Sequence, residues 1–228
     1  MKLTYRKYYP PEFEARKPYK VKRNKLGGLN DAHYVVRVSI HNKFVWCPAY
    51  LKWVAILKRT RCPKFHLVRP TYLNTQICKE WLDSFMSFRK WFFKELSKTN
   101  LNPGDAQIDK DILTDFKLYS PKTCILIPGK LNSLLTASRF KEGDLPQGVT
   151  RHGKGYQAQV CLPTGRKTKT YRKVKEAFDW YVKLKIETIK ASPIPYWLDE
   201  KLIRDRLLTI FENQMQAERI EFANLLNL

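Results

Sequence analysis

The sequence predicts an α+β fold: a small strand–strand–helix core with surrounding helices, a three-stranded antiparallel sheet with its own helix, and a C-terminal helix. Three observations carry this prediction. Apolar residues recur at three- and four-residue steps between Ile77 and Leu96, as on one face of a helix. Three short runs between residues 148 and 172 are separated by turn residues. An amphipathic pattern extends from Leu198 to Leu228.

The charge balance points to a polyanionic partner. The chain has 228 residues, with 43 Lys and Arg against 21 Asp and Glu, giving a formal net charge of +22. A hydrophobic content of 43% and an aromatic content of 13% exclude a disordered basic tail. Nucleic acid is the partner that this composition favours. A ribosomal or membrane-surface protein is the alternative.

Cysteine spacing and hydropathy argue against a zinc-binding, secreted or membrane-spanning protein. The five cysteines are scattered without a CxxC pair, which argues against a zinc ribbon. Residues 1–9 show no signal-peptide pattern, and no apolar run approaches a membrane span of about 18 residues. We therefore expect a soluble cytoplasmic chain with reduced thiols and no membrane partner.

We divide the chain into four regions: 1–45, 46–142, 143–192 and 193–228. The first contains an extended basic arm over residues 1–30, then a strand between Tyr34 and Phe44. A mobile cationic arm gains affinity for DNA by releasing counterions. A solvated tail is the alternative. The arm cations expected to contact DNA are Lys20, Lys22, Arg23 and Lys25.

The second region is expected to hold the main core. Trp53, Ile56 and Leu57 predict a short amphipathic helix. The stripe from Ile77 to Leu96 predicts one longer helix that packs in the core. Beyond it the pattern predicts a strand at 107–109, a loop, a strand at 124–127, and a helix through Leu131, Leu134 and Leu135.

The third and fourth regions predict a β-meander followed by two helices. The meander runs are 148–151, 156–162 and 167–172, and the first helix ends before Pro193 and Pro195. Its inward stripe comprises Ala177, Trp180, Tyr181 and Leu184, and is expected to weaken at Thr188. The last helix is expected to pack on the body of the protein or on a second subunit, through Leu202, Ile210, Phe211, Phe222 and Leu225.

Two sets of segments resemble known families. Arg69–Trp91, Ile108–Leu113 and Tyr119–Asn132 resemble phage-encoded HNH homing endonucleases. Gly148–Val149, Gly155–Val160 and Lys175–Phe178 resemble the APETALA-two (ethylene-response-factor) DNA-binding domain, which is often fused behind phage HNH nucleases. The resemblance spans about residues 53–190, and the order of the two sets is more specific than either alone. It implies a phage-encoded protein of the host cytoplasm.

The HNH resemblance implies a ββα-metal (His-Me finger) core that cleaves phosphodiester bonds with Mg²⁺ or Mn²⁺. Asp109 and Asn132 align with the metal ligands. Lys110 replaces the general-base histidine, and Thr123 replaces the asparagine that orients it. Asp111 is a further candidate ligand or base. Lysine is a poor base near neutral pH unless burial or a nearby cation, such as a metal ion held by Asp109, favours its neutral form. Lys110 could instead bind the scissile phosphate.

The same residues also have a purely structural interpretation. Asp109 and Asp111 could cap a turn, while Asn132 caps or packs its helix. His66 lies near Cys62, but a structural zinc ion requires four ligands. The histidines therefore do not restore a catalytic centre.

The APETALA-two resemblance implies that the sheet enters the major groove of double-stranded DNA and that the helix packs on its back. Alternation along the second strand directs Tyr156, Ala158 and Val160 toward the helix. The opposite face, with Gln157, Gln159 and Cys161, is expected to face DNA. The other expected DNA contacts are Thr150, His152, Lys154, Arg166, Lys167 and Lys169. A merely solvated basic edge is the alternative.

Three functions remain open at this point: an HNH-type endonuclease that nicks DNA, a DNA-binding protein with an inactive nuclease core, and an RNA- or ribosome-binding protein. Interleaved aromatic and basic residues also suit single strands, which keeps the third open.

Overall fold

Short strands and amphipathic helices alternate along the chain, which confirms the α+β class. The computed structural model describes residues 20–40, 42–135, 143–162 and 165–226. The chain divides into two compact units, Met1–Gly129 and Lys130–Leu228. Within the described ranges, no helix is long and apolar enough to span a membrane.

The first unit opens with a small hairpin, β1 (Lys22–Arg23) and β2 (Leu29–Asn30), where an extended arm was expected. The Asn24 side chain accepts hydrogen bonds from the backbone N–H groups of residues 26 and 28. A Cβ on Gly28 would lie 2.5 Å from Leu57, so this backbone lies directly on the core. The prediction of an extended arm is wrong for residues 20–30, and its part over 1–19 lies outside the described residues.

A second hairpin replaces the single strand expected between Tyr34 and Phe44. Its strands are β3 (Arg37–Ile40) and β4 (Lys43–Trp46), paired antiparallel. Asn42, with φ of +59°, adopts the left-handed conformation that asparagine tolerates better than most residues. The chain therefore reverses inside the segment that the apolar pattern presented as continuous.

The core of the first unit is helical and aromatic. It contains α1 (Pro48–Arg61), α2 (Pro63–Val68), a 3₁₀ turn (Pro70–Tyr72), α3 (Lys79–Asp83) and α4 (Phe85–Leu96). The predicted α1 residues Trp53, Ile56 and Leu57 are fully buried. The core role of the aromatic stripe is also confirmed, since Trp81, Phe85, Phe88 and Phe92 are fully buried.

The single helix expected from Ile77 to Leu96 is interrupted at Ser84. This residue is extended, with φ of −154°, and its hydroxyl accepts a hydrogen bond of 2.9 Å from the N–H of Ser87. Its hydroxyl also donates to Asp31 Oδ2 at 2.6 Å. Ser84 is thus the N-cap of a new helix, and the stripe continues across the break because both helices pack on the same core.

Two small sheets follow in the first unit. β5 (Gln76–Ile77) pairs in parallel with β7 (Leu118–Tyr119). β6 (Ala106–Asp109) pairs antiparallel with β8 (Ile125–Pro128). α5 (Gly129–Leu135) follows β8 directly in sequence and belongs to the second unit from Lys130 onward. The predicted order of strand, loop, strand and helix is confirmed, with β7 as an additional short strand in the loop. Element order alone does not establish an HNH-type core.

The second unit contains the predicted meander. β9 (Val149–His152), β10 (Gly155–Leu162) and β11 (Gly165–Tyr171) form an antiparallel sheet with β10 in the centre. α6 (Val174–Ala191) packs on it. The inward face of β10 is confirmed, since Ala158 and Val160 are 0% and 2% exposed.

The buried face of α6 is longer than the apolar pattern indicated. Ala177 and Tyr181 are buried as expected, whereas Trp180 and Leu184 are only half-buried. Thr188 is only 7% exposed. Its hydroxyl can be buried because it donates a hydrogen bond of 2.7 Å to the carbonyl of residue 184. The face therefore does not weaken there.

The last helix, α7 (Glu200–Leu226), packs against α6 through a stripe that the sequence analysis identified only in part. Its buried residues recur at every fourth position: Ile203, Leu207, Phe211 and Met215. Of the predicted face, only Phe211 is buried. Leu202 is 48% exposed, Ile210 and Phe222 are half-buried, and the side chain of Leu225 lies outside the described part. This buried stripe is covered within the unit and is not available to a second subunit. Self-association through the other residues of α7 stays a prediction.

Candidate nucleic-acid interface

Asp109 ends β6 and caps the turn that follows it. Its Oδ1 accepts hydrogen bonds of 2.8 Å from the backbone N–H groups of Asp111 and Ile112. Burial raises the pKa of the Asp109 carboxyl, and the nearby Asp111 charge acts in the same direction, while the N–H donors oppose both. This geometry is the turn-capping role that the sequence left open as an alternative to metal binding.

Lys110 occupies the position of the expected general base, but its charge is already paired. It is only 5% exposed, and its ammonium group donates to Asp111 Oδ1. The same Nζ lies 5.8 Å from the centroid of the Tyr119 ring. Burial raises the pKa of Tyr119, which keeps the phenol neutral. The ion pair with Asp111 and the contact with the Tyr119 ring occupy the Lys110 amine, so these contacts give no support to a role as general base.

Asp109, Lys110 and Tyr119 form a cluster that also includes Arg59 on α1, a residue that the sequence does not single out. Its guanidinium donates to the Tyr119 hydroxyl at 3.4 Å and lies 5.9 Å from the centroid of the Tyr72 ring. It also interacts electrostatically with Asp109. Arg59 is one of several cations along α1, so only the three-dimensional arrangement distinguishes it.

Thr123 has a local role in its own turn. It is 6% exposed, donates to the carbonyl of Leu118 at 2.5 Å and accepts from the N–H of Ser120 at 3.1 Å. Its hydroxyl is therefore occupied in holding the turn before β8. The expected function of orienting residue 110 has no support in these contacts.

Divalent cations such as Mg²⁺ and Mn²⁺ prefer several oxygen ligands. Among the described residues, no group of three or more His, Cys, Asp or Glu side chains could hold a metal ion. Asp109 Oδ1 already accepts two N–H donors, and Asp111 is paired with the Lys110 cation. The cluster of the first unit does not by itself fit a divalent-metal centre. Asn132 is half-buried on α5 in the second unit, and its pairing with Asp109 around a metal stays a prediction.

The sheet of the second unit has one face that α6 covers and one that it does not. Directly paired residues of an antiparallel sheet lie on the same face. Gln157 pairs with Thr150 and Thr170, Gln159 with Thr168, and Cys161 with Arg166. We call these residues, together with His152 at the end of β9, the open face: Thr150, His152, Gln157, Gln159, Cys161, Arg166, Thr168 and Thr170.

The pairing corrects the expected position of two lysines. Lys167 pairs with Val160 and Lys169 with Ala158, so both lie on the side of the sheet that carries the buried residues. They remain exposed because β11 is an edge strand, and Lys169 Nζ lies 5.3 Å from the Tyr171 ring centroid. Both lysines were expected on the open face because the sequence alone does not give the register of β11. They instead form a cationic edge beside it.

The remaining predicted contacts are dispersed. Lys154 is exposed in the turn between β9 and β10. In the first unit, Lys20, Lys22 and Lys25 are exposed. Arg23 donates to Asp83 at 2.7 Å and to the carbonyl of Gly27 at 2.7 Å. Its charge is therefore partly neutralised within the unit.

The open face offers side chains of the kind that read base edges. Glutamine can form two hydrogen bonds with adenine, threonine can donate or accept, and arginine suits guanine or phosphate. Thr168 and Thr170 were missed by the sequence analysis. Their signal is the register of β11 on β10, which the strand pattern alone does not give.

No protein-family model, no curated protein and no solved structure matches this chain. The sheet and the cluster around Asp109 are therefore the features from which its function is inferred.

Proposed function

We propose that the chain is a double-stranded DNA-binding protein that contacts the duplex through the open face of β9, β10 and β11. The observation that carries this proposal is the paired row of Gln157 and Gln159 with Thr168 and Thr170, on the side of the sheet opposite α6. An uncovered polar sheet face can enter the major groove, which admits strands as well as helices.

The charge of the chain supports the same proposal. A formal net charge of +22 attracts a polyanion over long distances. The exposed edge residues Lys167 and Lys169 lie beside the open face, where they can contact phosphates while the glutamines contact bases. Phosphate contacts provide affinity and orientation, and base contacts provide sequence preference.

A binding-site selection from a random duplex pool tests the proposal. The double variant Gln157→Ala/Gln159→Ala is compared with the wild type and with Gln214→Ala/Gln216→Ala on α7, where both glutamines are exposed. We expect the wild type and the control to enrich the same sites. The open-face variant should lose discrimination of about 1–3 kcal/mol at each base pair that a glutamine reads. Unchanged preference and affinity in the open-face variant would contradict the proposal.

Metal-dependent DNA nicking is a second candidate, favoured by the order β6, β8, α5. The paired Lys110 cation argues for slow or absent cleavage. A plasmid-nicking assay with Mg²⁺ or Mn²⁺ compares the wild type with Asp109→Ala. Nicking that disappears in the variant supports this candidate, whereas nicking that persists shows that Asp109 is not part of the centre. Absence of nicking in the wild type leaves a DNA-binding protein with an inactive core.

The RNA-binding alternative is tested in the same binding format. Structured RNA is used as a competitor against labelled duplex DNA. The open-face proposal requires duplex DNA to compete better, because the deep, narrow major groove of A-form RNA does not admit a sheet. Stronger competition by RNA would favour an RNA- or ribosome-associated protein instead.

A further inference from the structure

The β3–β4 hairpin of the first unit carries exposed aromatic rings that the proposed function does not use. Val38 pairs with Val45, and this side of the hairpin faces the core, with Val38 only 1% exposed. On the other side, Arg37 pairs with Trp46 and Ser39 pairs with Phe44. We call this second side the aromatic face; its residues are Arg37, Ser39, Phe44 and Trp46.

The aromatic face presents rings and a guanidinium group in alternation. Phe44 is 66% exposed and Trp46 is 37% exposed. The Arg37 guanidinium carbon lies 4.4 Å from the Phe44 ring centroid and 5.2 Å from that of Trp46. Arg37 forms no ion pair with any residue in the described ranges. Its positive charge is therefore available to an anionic ligand.

Trp46 of the aromatic face packs on the core of the first unit. Trp46 stacks on Tyr50 of α1, with centroids 6.0 Å apart and planes inclined by 6°. Tyr50 in turn makes an edge contact of 5.2 Å with the fully buried Phe85. Trp46 thus stands on the aromatic core, and Phe44 lies beside it under the Arg37 guanidinium, so the face is largely formed before a ligand binds.

We propose that the aromatic face binds single-stranded nucleic acid, with an unpaired base stacking on the exposed ring of Phe44 beside Trp46 and the backbone phosphate attracted by Arg37. Phe44 and Trp46 are two residues apart on one strand, which places them about 6.8 Å from each other. Stacking platforms of this type combine aromatic rings with cations and tolerate any base sequence. This activity is separate from duplex binding by the second unit.

Other occupants fit the face less well. Bases inside a duplex are already stacked, so exposed rings gain little from them. A membrane anchor inserts apolar residues, whereas Asn42 in the hairpin turn and Lys43 at the start of β4 are polar and exposed. An apolar protein partner would leave the Arg37 charge buried without a counter-charge. A single strand satisfies the rings and the cation together.

The test measures binding of a labelled oligothymidylate of about 12 nucleotides, a length within the range of known stacking grooves, by fluorescence anisotropy of the full chain. We expect Phe44→Ala and Phe44→Leu to weaken binding roughly tenfold, within the range of about 5- to 150-fold for loss of one stacked base. Phe44→Trp should retain binding. The matched control Phe116→Ala removes a phenylalanine that is 70% exposed in the same unit, and should bind like the wild type.

Salt dependence separates stacking from charge. The logarithmic salt slope should be unchanged in Phe44→Ala, whereas Arg37→Ala should reduce it by about 0.7 if one single-strand phosphate contact is lost. Affinity for duplex DNA should be unaffected by Phe44→Ala.

Several results would overturn the inference. One is oligothymidylate binding that survives in Phe44→Ala. Another is full retention of binding in Phe44→Leu, which would indicate an apolar contact rather than stacking. An equal loss of duplex affinity in Phe44→Ala would assign the face to double-stranded DNA. Loss of binding to anionic lipid vesicles in Phe44→Ala, with oligothymidylate binding intact, would assign it to a membrane surface.

Discussion

Gln159 on β10 lies directly opposite Thr168 on β11, on the side of the sheet that α6 does not cover. This pairing determines on which face each of the remaining residues of the two strands lies, since side chains alternate along a strand. It assigns Arg166, Thr168 and Thr170 to the open face and moves Lys167 and Lys169 to the opposite side. The open face is therefore mainly polar, and the cations stand at its edge.

The division between polar face and cationic edge predicts different effects of salt. Replacing Lys167 and Lys169 together by alanine should weaken binding to all duplex sequences alike. It should also reduce the salt slope by about 1.8, because each phosphate contact contributes about 0.9. Affinity measured over a series of salt concentrations checks this. The matched control is Lys183→Ala/Lys190→Ala, which removes two exposed lysines from α6. An equal change of slope in the control would assign the effect to overall charge rather than to the edge.

Gly148 is a position where the second unit does not tolerate a side chain. It has φ of +80°, and a Cβ there would lie 2.3 Å from Tyr181, whose hydroxyl is fixed by a 3.1 Å hydrogen bond from Gln147. We expect Gly148→Ala to lower the free energy of unfolding by about 3 kcal/mol, combining left-handed strain with overpacking. Urea-induced unfolding provides the measurement.

Gly153 is the matched control for that substitution. It also has a positive φ, of +57°, but a Cβ there would meet no atom within 4 Å. Gly153→Ala should therefore cost only the backbone strain, about 1 kcal/mol. Equal losses at the two glycines would show that Tyr181 does not close the space beside residue 148.

The raised pKa of Asp109 predicts a pH-dependent contribution to stability. A carboxyl group whose pKa is raised in the folded state keeps its proton at pH values at which the same group in the unfolded chain has lost its proton. Its contribution therefore becomes less favourable as pH rises above the ordinary value of 3.8. Asp109→Asn keeps an acceptor oxygen for the two N–H groups and does not titrate. The stability of Asp109→Asn relative to the wild type should increase between about pH 4 and about pH 7.

Unfolding free energies of the wild type and Asp109→Asn at the two pH values check this directly. Taking the difference between the proteins removes the contribution of the other carboxyl groups. Asp109→Ala, which removes the acceptor, should be less stable than Asp109→Asn by about 1–3 kcal/mol at both pH values. A relative stability that is flat with pH would mean that the Asp109 carboxyl titrates at its ordinary value.

The sequence predicted the elements whose period is set by burial. The period of the apolar residues predicted the stripe from Trp81 to Phe92 and the inward residues Ala158 and Val160, because a core selects apolar side chains at each contact. Breaks inside a continuous pattern were not predictable. Ser84 caps a new helix, and its hydroxyl is held by a hydrogen bond to Asp31, which is 53 residues away in sequence. The reversal near Asn42 also lacks the Asn-Gly signal that marks a tight hairpin.

The candidate interface was predictable strand by strand, but its assembly was not. Alternation gave the two faces of β10 correctly. The faces of β11 depend on the register across the β10–β11 connection, and a shift of one residue reverses every side chain. Lys167 and Lys169 were misplaced for that reason. Arg59 joins Asp109 and Tyr119 through long-range contacts that no local pattern encodes.

Cys161 reports whether duplex DNA covers the open face of the sheet. This thiol is exposed on the open face opposite Arg166, whereas Cys62 is half-buried in the first unit. Alkylation of each cysteine by N-ethylmaleimide is followed by mass spectrometry with and without saturating duplex DNA. We expect DNA to slow the reaction of Cys161 strongly and to leave that of Cys62 unchanged. Reaction of Cys161 at the same rate in the free and DNA-bound protein would show that DNA does not bind on the open face.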